Sequence, residues 1–183
     1  MLEKDSKVEL GALSPGKVFE IGGHDFIVLE QQEGQTTVIS KKIMVENVVF
    51  DDNTRDYNKS SLKKLIENDI QPVIENVVGT KNIVEHEVAL TSVDMQNEFK
   101  SCKCKVRPIT FDEARKYNSL LVDENLPDWY WTCTPWSTEA RGWKYSVAVV
   151  SPSGCIDCYY CNVDVGVRPF CILKSNIFVS EEE

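Results

Sequence analysis

What this chain has little of narrows its chemistry before any motif is considered. It has two histidines in 183 residues, so few side chains change charge near neutral pH. It has no run of about 18 apolar residues, so nothing in it reads as a membrane-spanning helix. The opening Met1–Lys7 is charged and lacks the apolar stretch of a secretory signal, which predicts a cytoplasmic or virion-associated protein. Lys and Arg number 20 against 29 Asp and Glu, a net charge of −9. That balance argues against direct nucleic-acid binding, which needs a basic footprint over the phosphates. It suits solubility or a basic partner. Low-complexity runs, internal repeats and linkers are also missing, so one domain is expected. A chain of this length buries a core without needing disulfides or a metal to fold.

Cysteine, by contrast, is plentiful. Seven occur, and an odd number leaves at least one thiol unpaired under any disulfide scheme. In a reducing compartment all seven are expected as thiols.

The patterning predicts an α+β fold. Lys17–Ile21 and Asp25–Leu29 flank Gly22-Gly23-His24, a hairpin signal, and Thr36–Ser40 follows the Glu33-Gly34 turn. Residues 51–56 form a polar loop. Ser60 or Ser61 can cap a helix carrying Leu62, Leu65, Ile66 and Ile70. A second short helix through Val73, Ile74, Val77 and Val78 would end at Gly79. Ile83–Leu90 alternates and reads as a strand. Thr110 and Glu113 have capping-box spacing, opening a helix with Ala114 and Tyr117. Strands are expected again over Trp129–Thr134, Tyr145–Val150 and Val167–Leu173, with a turn at Ser151–Gly154. Residues 1–14 read as an N-terminal extension, 15–178 as the domain, and 179–183 as an acidic tail, frayed over Glu181–Glu183.

The densest signal is Trp129-Tyr-Trp-Thr-Cys-Thr-Pro-Trp-Ser137, closed by Gly166-Val-Arg-Pro169. With the Ser61–Leu65 and Thr110–Tyr117 helix starts, these residues resemble an uncharacterised domain family of Gram-positive gut bacteria and their prophages. That family carries a Trp-rich motif and a terminal Gly-Val-Arg-Pro, over roughly residues 15–178 here. The resemblance implies relatedness to C-type-lectin-like and formylglycine-generating-enzyme-like folds: small twisted antiparallel sheets, two or three helices and a loop-rich face. It implies no metal or cofactor, and a fold alone does not fix an activity.

Several residues are candidates for chemistry. Cys155-x-x-Cys158-x-x-Cys161 has thiolate spacing seen in metal sites, yet strand alternation through Tyr159 and Tyr160 spreads those sulfurs over two faces. A Cys–His dyad would need His24 or His86 brought close in space. Asn162 and Asp164 supply too few oxygens for calcium. The favoured expectation is a non-catalytic recognition surface. Trp136, Trp143, Tyr145, Tyr159 and Tyr160 offer large rigid contact area, with Asp157, Asn162 and Asp164 as polar partners in a 155–164 loop. That loop's residue set also matches adenine-directed diversification of asparagine codons. Trp129 and Trp131 are expected in the core, and Arg168 as a structural arginine held by a carboxylate or by carbonyls. The expected partner is a host-surface protein or glycan, or alternatively an intracellular bacterial protein such as a nuclease.

Overall fold

The computed structural model describes residues 7–182. Gly22 and Gly23 close the first hairpin with φ of 58° and 81°, the left-handed pair that matches strand twist in a two-residue turn. They join β2 (Val18–Ile21) to β3 (His24–Gln32), and β4 (Gln35–Ser40) follows. The middle of β3 and nearly all of β4 are buried. This meander is the centre of the larger sheet, which also holds β1 (Lys7–Glu9), β8 (Val106–Arg107), β13 (Phe170–Lys174) and β14 (Phe178–Glu182). Its seven strands run in the order β1-β14-β2-β3-β4-β13-β8.

The second sheet is built from β5 (Val45–Val48), β9 (Tyr130–Pro135), β10 (Ser146–Val150), β11 (Ile156–Tyr160) and β12 (Val165–Val167). Its order is β11-β10-β9-β12-β5, so β11 is an edge strand. A separate ladder pairs β6 (His86–Ala89) with β7 (Ser101–Cys104). The strand pairs are antiparallel except β12 with β9, which is parallel. The architecture is therefore α+β with mostly antiparallel sheets.

Ser60 caps α1 (Ser61–Leu65), accepting the Lys63 amide at 3.1 Å. The helix continues through a π-helical turn, Ile66–Ile70, into α2 (Gln71–Val78). The single helix replaces the expected pair for a local reason. Pro72 has no N–H for the Asn68 carbonyl and its ring would crowd it; the widened turn just upstream absorbs that misfit. Gly79, at φ 87°, ends the helix. Thr110 opens α3 (Phe111–Lys116) with the expected capping box, and α4 (Asn118–Leu121) follows. The larger core gathers Phe19, Phe26, Phe50, Leu62, Ile66 and Trp131. A smaller one holds Ile109, Ala114, Leu121, Tyr130 and Phe170.

Several expectations need correction. Residues 7–14 are no extension: β1 pairs with β14, and Leu10 and Leu13 are buried. Residues 1–6 lie outside the described residues. The acidic tail is not frayed through Glu182, because Ser180–Glu182 pair with β2; Glu183 is outside the described residues. The expected strand 83–90 is shorter, His86–Ala89. The expected strand 167–173 is two strands in two sheets, broken at Arg168-Pro169, since proline cannot donate to a ladder. The seven-stranded sheet is also larger than the small sheets expected.

Arg168 at that break is fully buried. Its Nε donates to the Ser40 carbonyl at 2.7 Å and its Nη1 to the Leu121 carbonyl at 2.9 Å, while Nη2 has no protein partner. Just before it, Gly166 answers a close approach: a Cβ there would lie 2.4 Å from Ile43 Cδ1.

Candidate functional site

Three strand ends meet at one end of the smaller sheet: the end of β9, the start of β10 and the end of β11. The pairing Pro135↔Val147 and Val147↔Tyr159 sets them side by side. The aromatic side chains cluster here. Trp143 and Tyr145 are each 42% exposed and Tyr160 63%, whereas Trp136 is half-buried. The rings pair: Trp136 with Trp143 at 6.4 Å between centroids, and Tyr145 edge-on to Tyr160 at 6.5 Å. Backbone bonds stitch them together, Trp136 N–H to the Ser146 carbonyl at 3.0 Å and Cys161 N–H to the Tyr145 carbonyl at 2.7 Å. Exposed Val163 extends the patch through a turn in which its N–H reaches the Tyr160 carbonyl.

This aromatic-bearing segment is pinned from below. Arg55, its side chain only 2% exposed, donates Nε to the Lys144 carbonyl at 2.7 Å and Nη1 to the Ser137 carbonyl at 2.6 Å. Its Nη2 bonds both carboxylate oxygens of Glu98, at 2.8 and 2.9 Å. The guanidinium lies 5.2 Å from the centroid of the Phe99 ring. Glu98 also accepts the Glu139 amide. Close by, Asp94 accepts from the hydroxyls of Ser137 and Ser92 and from Arg141. Those bonds, the Ser137 one foremost, hold its carboxyl well below the usual range. The segment 136–145 is thus clamped between the 51–56 loop and the 92–99 loop. Nothing in the sequence marked Arg55, Asp94 or Glu98, because the partners that tie them to the 136–145 segment are tens of residues away.

No protein-family model, curated protein or solved structure matches this chain.

Half of the expected 155–164 loop is an edge strand, β11, with the turn at residues 161–164 beyond it. Its alternation separates the candidates. Tyr159 is half-buried and packs on Trp129 at 5.4 Å, while Tyr160 faces solvent. Burial first, then the carboxylates of Asp128 and Asp157, push the Tyr159 phenol up. Asp157 turns its carboxylate onto the neighbouring Cys158 amide at 2.8 Å. That amide points away from β10, so Asp157 blunts the open strand edge. Asn162 and Asp164 are exposed in the turn. Trp131 is fully buried, its indole N–H donating to the Val48 carbonyl at 2.7 Å. Trp129 is only half-buried, contrary to the expectation for it.

The cysteines disperse. Cys155 is exposed, Cys158 half-buried and Cys161 buried. Among the described residues no group of three His, Cys, Asp or Glu side chains is arranged to hold a metal. His86 lies across the ladder from Cys104, yet both ring nitrogens are engaged. Its Nε2 accepts the Arg107 Nε–H at 2.9 Å, so Nδ1 carries the proton and donates to the Val84 carbonyl at 3.1 Å. Burial and the Arg107 charge hold the imidazole below its ordinary value. Cys104, hydrogen-bonded to Cys102 and buried, is pushed far up, so this pair offers neither a free base nor a thiolate.

Proposed function

We propose that this protein is a non-catalytic recognition module of phage or prophage origin, built on a C-type-lectin-like domain. It binds a host protein or glycan through the face formed by residues 129–164. One observation carries the reading: Trp143 and Tyr145 expose their rings on a segment whose carbonyls are gripped by a buried arginine, with the exposed Tyr160 ring packed edge-on to Tyr145. Exposed aromatics on a rigid support lose little conformational freedom on binding, which is how efficient contact surfaces work. The lectin-like part rests on the Trp-rich and Gly-Val-Arg-Pro motifs, and on mostly antiparallel sheets with few helices and a loop-bearing end.

The test uses the immobilised protein and its Trp143→Ala/Tyr160→Ala variant, each incubated with intact Gram-positive cells and separately with their lysate. Wild type is expected to retain cell-surface material or a stoichiometric lysate protein that the variant loses at unchanged melting temperature. Equal retention by both would remove the face from consideration.

A second reading, an intracellular inhibitor of a bacterial protein such as a nuclease, gains weight from charge. Asp52, Asp128, Asp157 and Asp164 take part in none of the ion pairs among the described residues.

A further inference from the structure

Resting on the recognition reading, the geometry points to a partner of one chemistry: a protein segment presenting arginine side chains to the exposed aromatic end of the smaller sheet.

The charge distribution over this face is one-sided. Between residues 123 and 164 the basic side chains are Arg141 and Lys144, and both are committed. Arg141 pairs with Asp94 at 2.6 Å and Lys144 with Glu139 at 3.4 Å. Asp52 and Asp164 are exposed and outside these ion pairs, on segments that flank the end of β11. The Asp51 amide bonds the Cys161 carbonyl at 3.0 Å, one residue beyond Tyr160. That bond sets the Asp51-Asp52 backbone beside the end of β11, and burial, then Asp51, push the Cys161 thiol up. Asp164 closes the turn that begins at Tyr160.

Two features favour a cation over a sugar. Sugar binding needs directional acceptors, and the best-placed ones are spent internally. Asp51 accepts from the amides of Asn53, Thr54 and Ser61, and Asp157 from Cys158. Asp52 and Asp164 keep their charge facing solvent, where it acts as field and not as fixed hydrogen-bond geometry. The rings, in turn, already accept a cation: the Lys144 ammonium lies 5.6 Å from the Tyr145 centroid. A guanidinium stacks on aromatic faces and pairs with carboxylates in one arrangement, which an ammonium does less well. Strand addition at β11 is a weaker alternative because Asp157 occupies the outward Cys158 amide.

The experiment measures fluorescence anisotropy of a labelled peptide of alternating arginine and glycine against the full chain. Its comparison probes are a lysine–glycine peptide and neutral chitotriose. Binding is expected to weaken steeply as salt rises from about 50 to about 200 mM. Trp143→Ala and Asp52→Asn/Asp164→Asn should each weaken it about tenfold. Glu33→Gln/Asp69→Asn, which removes the same charge elsewhere on the surface, should leave it within about twofold. Equal loss in both charge variants, or lysine binding as tightly as arginine, would overturn the assignment. So would chitotriose binding without peptide binding, or self-association through this face; each of these leaves the recognition reading standing. If the Trp143→Ala/Tyr160→Ala variant also keeps full retention of cellular material, both readings fall.

Discussion

Arg55 and Glu98 form a two-bond pair at 2.8 and 2.9 Å, one partner almost wholly buried and the other about a quarter exposed. Arg55 reaches the 51–56 loop's side of the clamp and Glu98 the 92–99 side, with the carbonyls of Ser137 and Lys144 between them. The exposed rings keep their positions because this pair is intact.

Truncating the arginine therefore has two effects. Arg55→Ala strands Glu98 and frees two carbonyls, and it is expected to cost about 3 kcal/mol. Arg55→Lys cannot reproduce the fork and should recover little of that loss. Urea denaturation measures the cost, and tryptophan emission reports whether Trp136 and Trp143 have loosened. A cost below about 0.5 kcal/mol would contradict the clamp.

The adjacent tyrosines of β11 should behave differently. Tyr160→Ala removes a 63%-exposed ring and is expected to change stability by less than about 0.5 kcal/mol. Tyr159→Ala removes a half-buried ring packed at a tilt against Trp129 and should cost about 1–2 kcal/mol. Reversed losses, with Tyr160→Ala the costlier, would mean that the strand is turned over in solution.

Acid should weaken the fold through the Arg107 network. The folded His86 value lies below 6.5, so the stability it contributes is complete above that pH and is lost as pH falls through the folded value. For Glu113, burial works against ionisation, but two Arg107 bonds at 2.7 and 2.8 Å outweigh it and hold the folded value below 4.5. Its contribution is complete above 4.5 and is lost as pH falls from there through the depressed value. The urea midpoint is expected to drop between about pH 7.5 and about pH 5.5, and His86→Gln to flatten that slope. A wild-type midpoint that stays level across the interval would show that His86 does not accept from Arg107.

Thiol labelling gives an independent reading of the cysteines. In the native protein Cys155 should react with an aromatic disulfide reagent at once. Cys158 should follow slowly, since burial and then the neighbouring Asp157 raise its thiol. Cys102, Cys104, Cys133, Cys161 and Cys171 are buried and should wait for unfolding. Rapid labelling of any of those five would place a cavity or an opening motion beside it.

Local signals in the sequence located much of this fold. Gly22-Gly23 marked a hairpin, Thr110 and Glu113 a capping box, and Gly79 a helix end, because each acts within a few residues of itself. The aromatic candidates were legible too, but their exposure was not. Tyr159 and Tyr160 have the same composition signal, and only the register with β10 sends one inward and the other outward. The division of residues 165–174 between two sheets escaped because an apolar run looks alike whichever sheet receives it. Arg55 was invisible for a different reason. Its partners Glu98, Ser137 and Lys144 lie 43, 82 and 89 residues away, so nothing nearby distinguishes it from a solvated loop charge.

Arg168 makes the order of assembly matter. Its guanidinium can leave water only when the carbonyls of Ser40 and Leu121 have converged on it from distant parts of the chain. A half-built intermediate with the two sheets joined but α4 undocked leaves a cation facing an apolar gap, and water must follow it in. Such a state resists closing in the wrong register, because a misplaced guanidinium would be stripped of water with nothing to replace it. The residue thus ties the junction between the sheets to one arrangement, the one in which those two carbonyls meet its guanidinium.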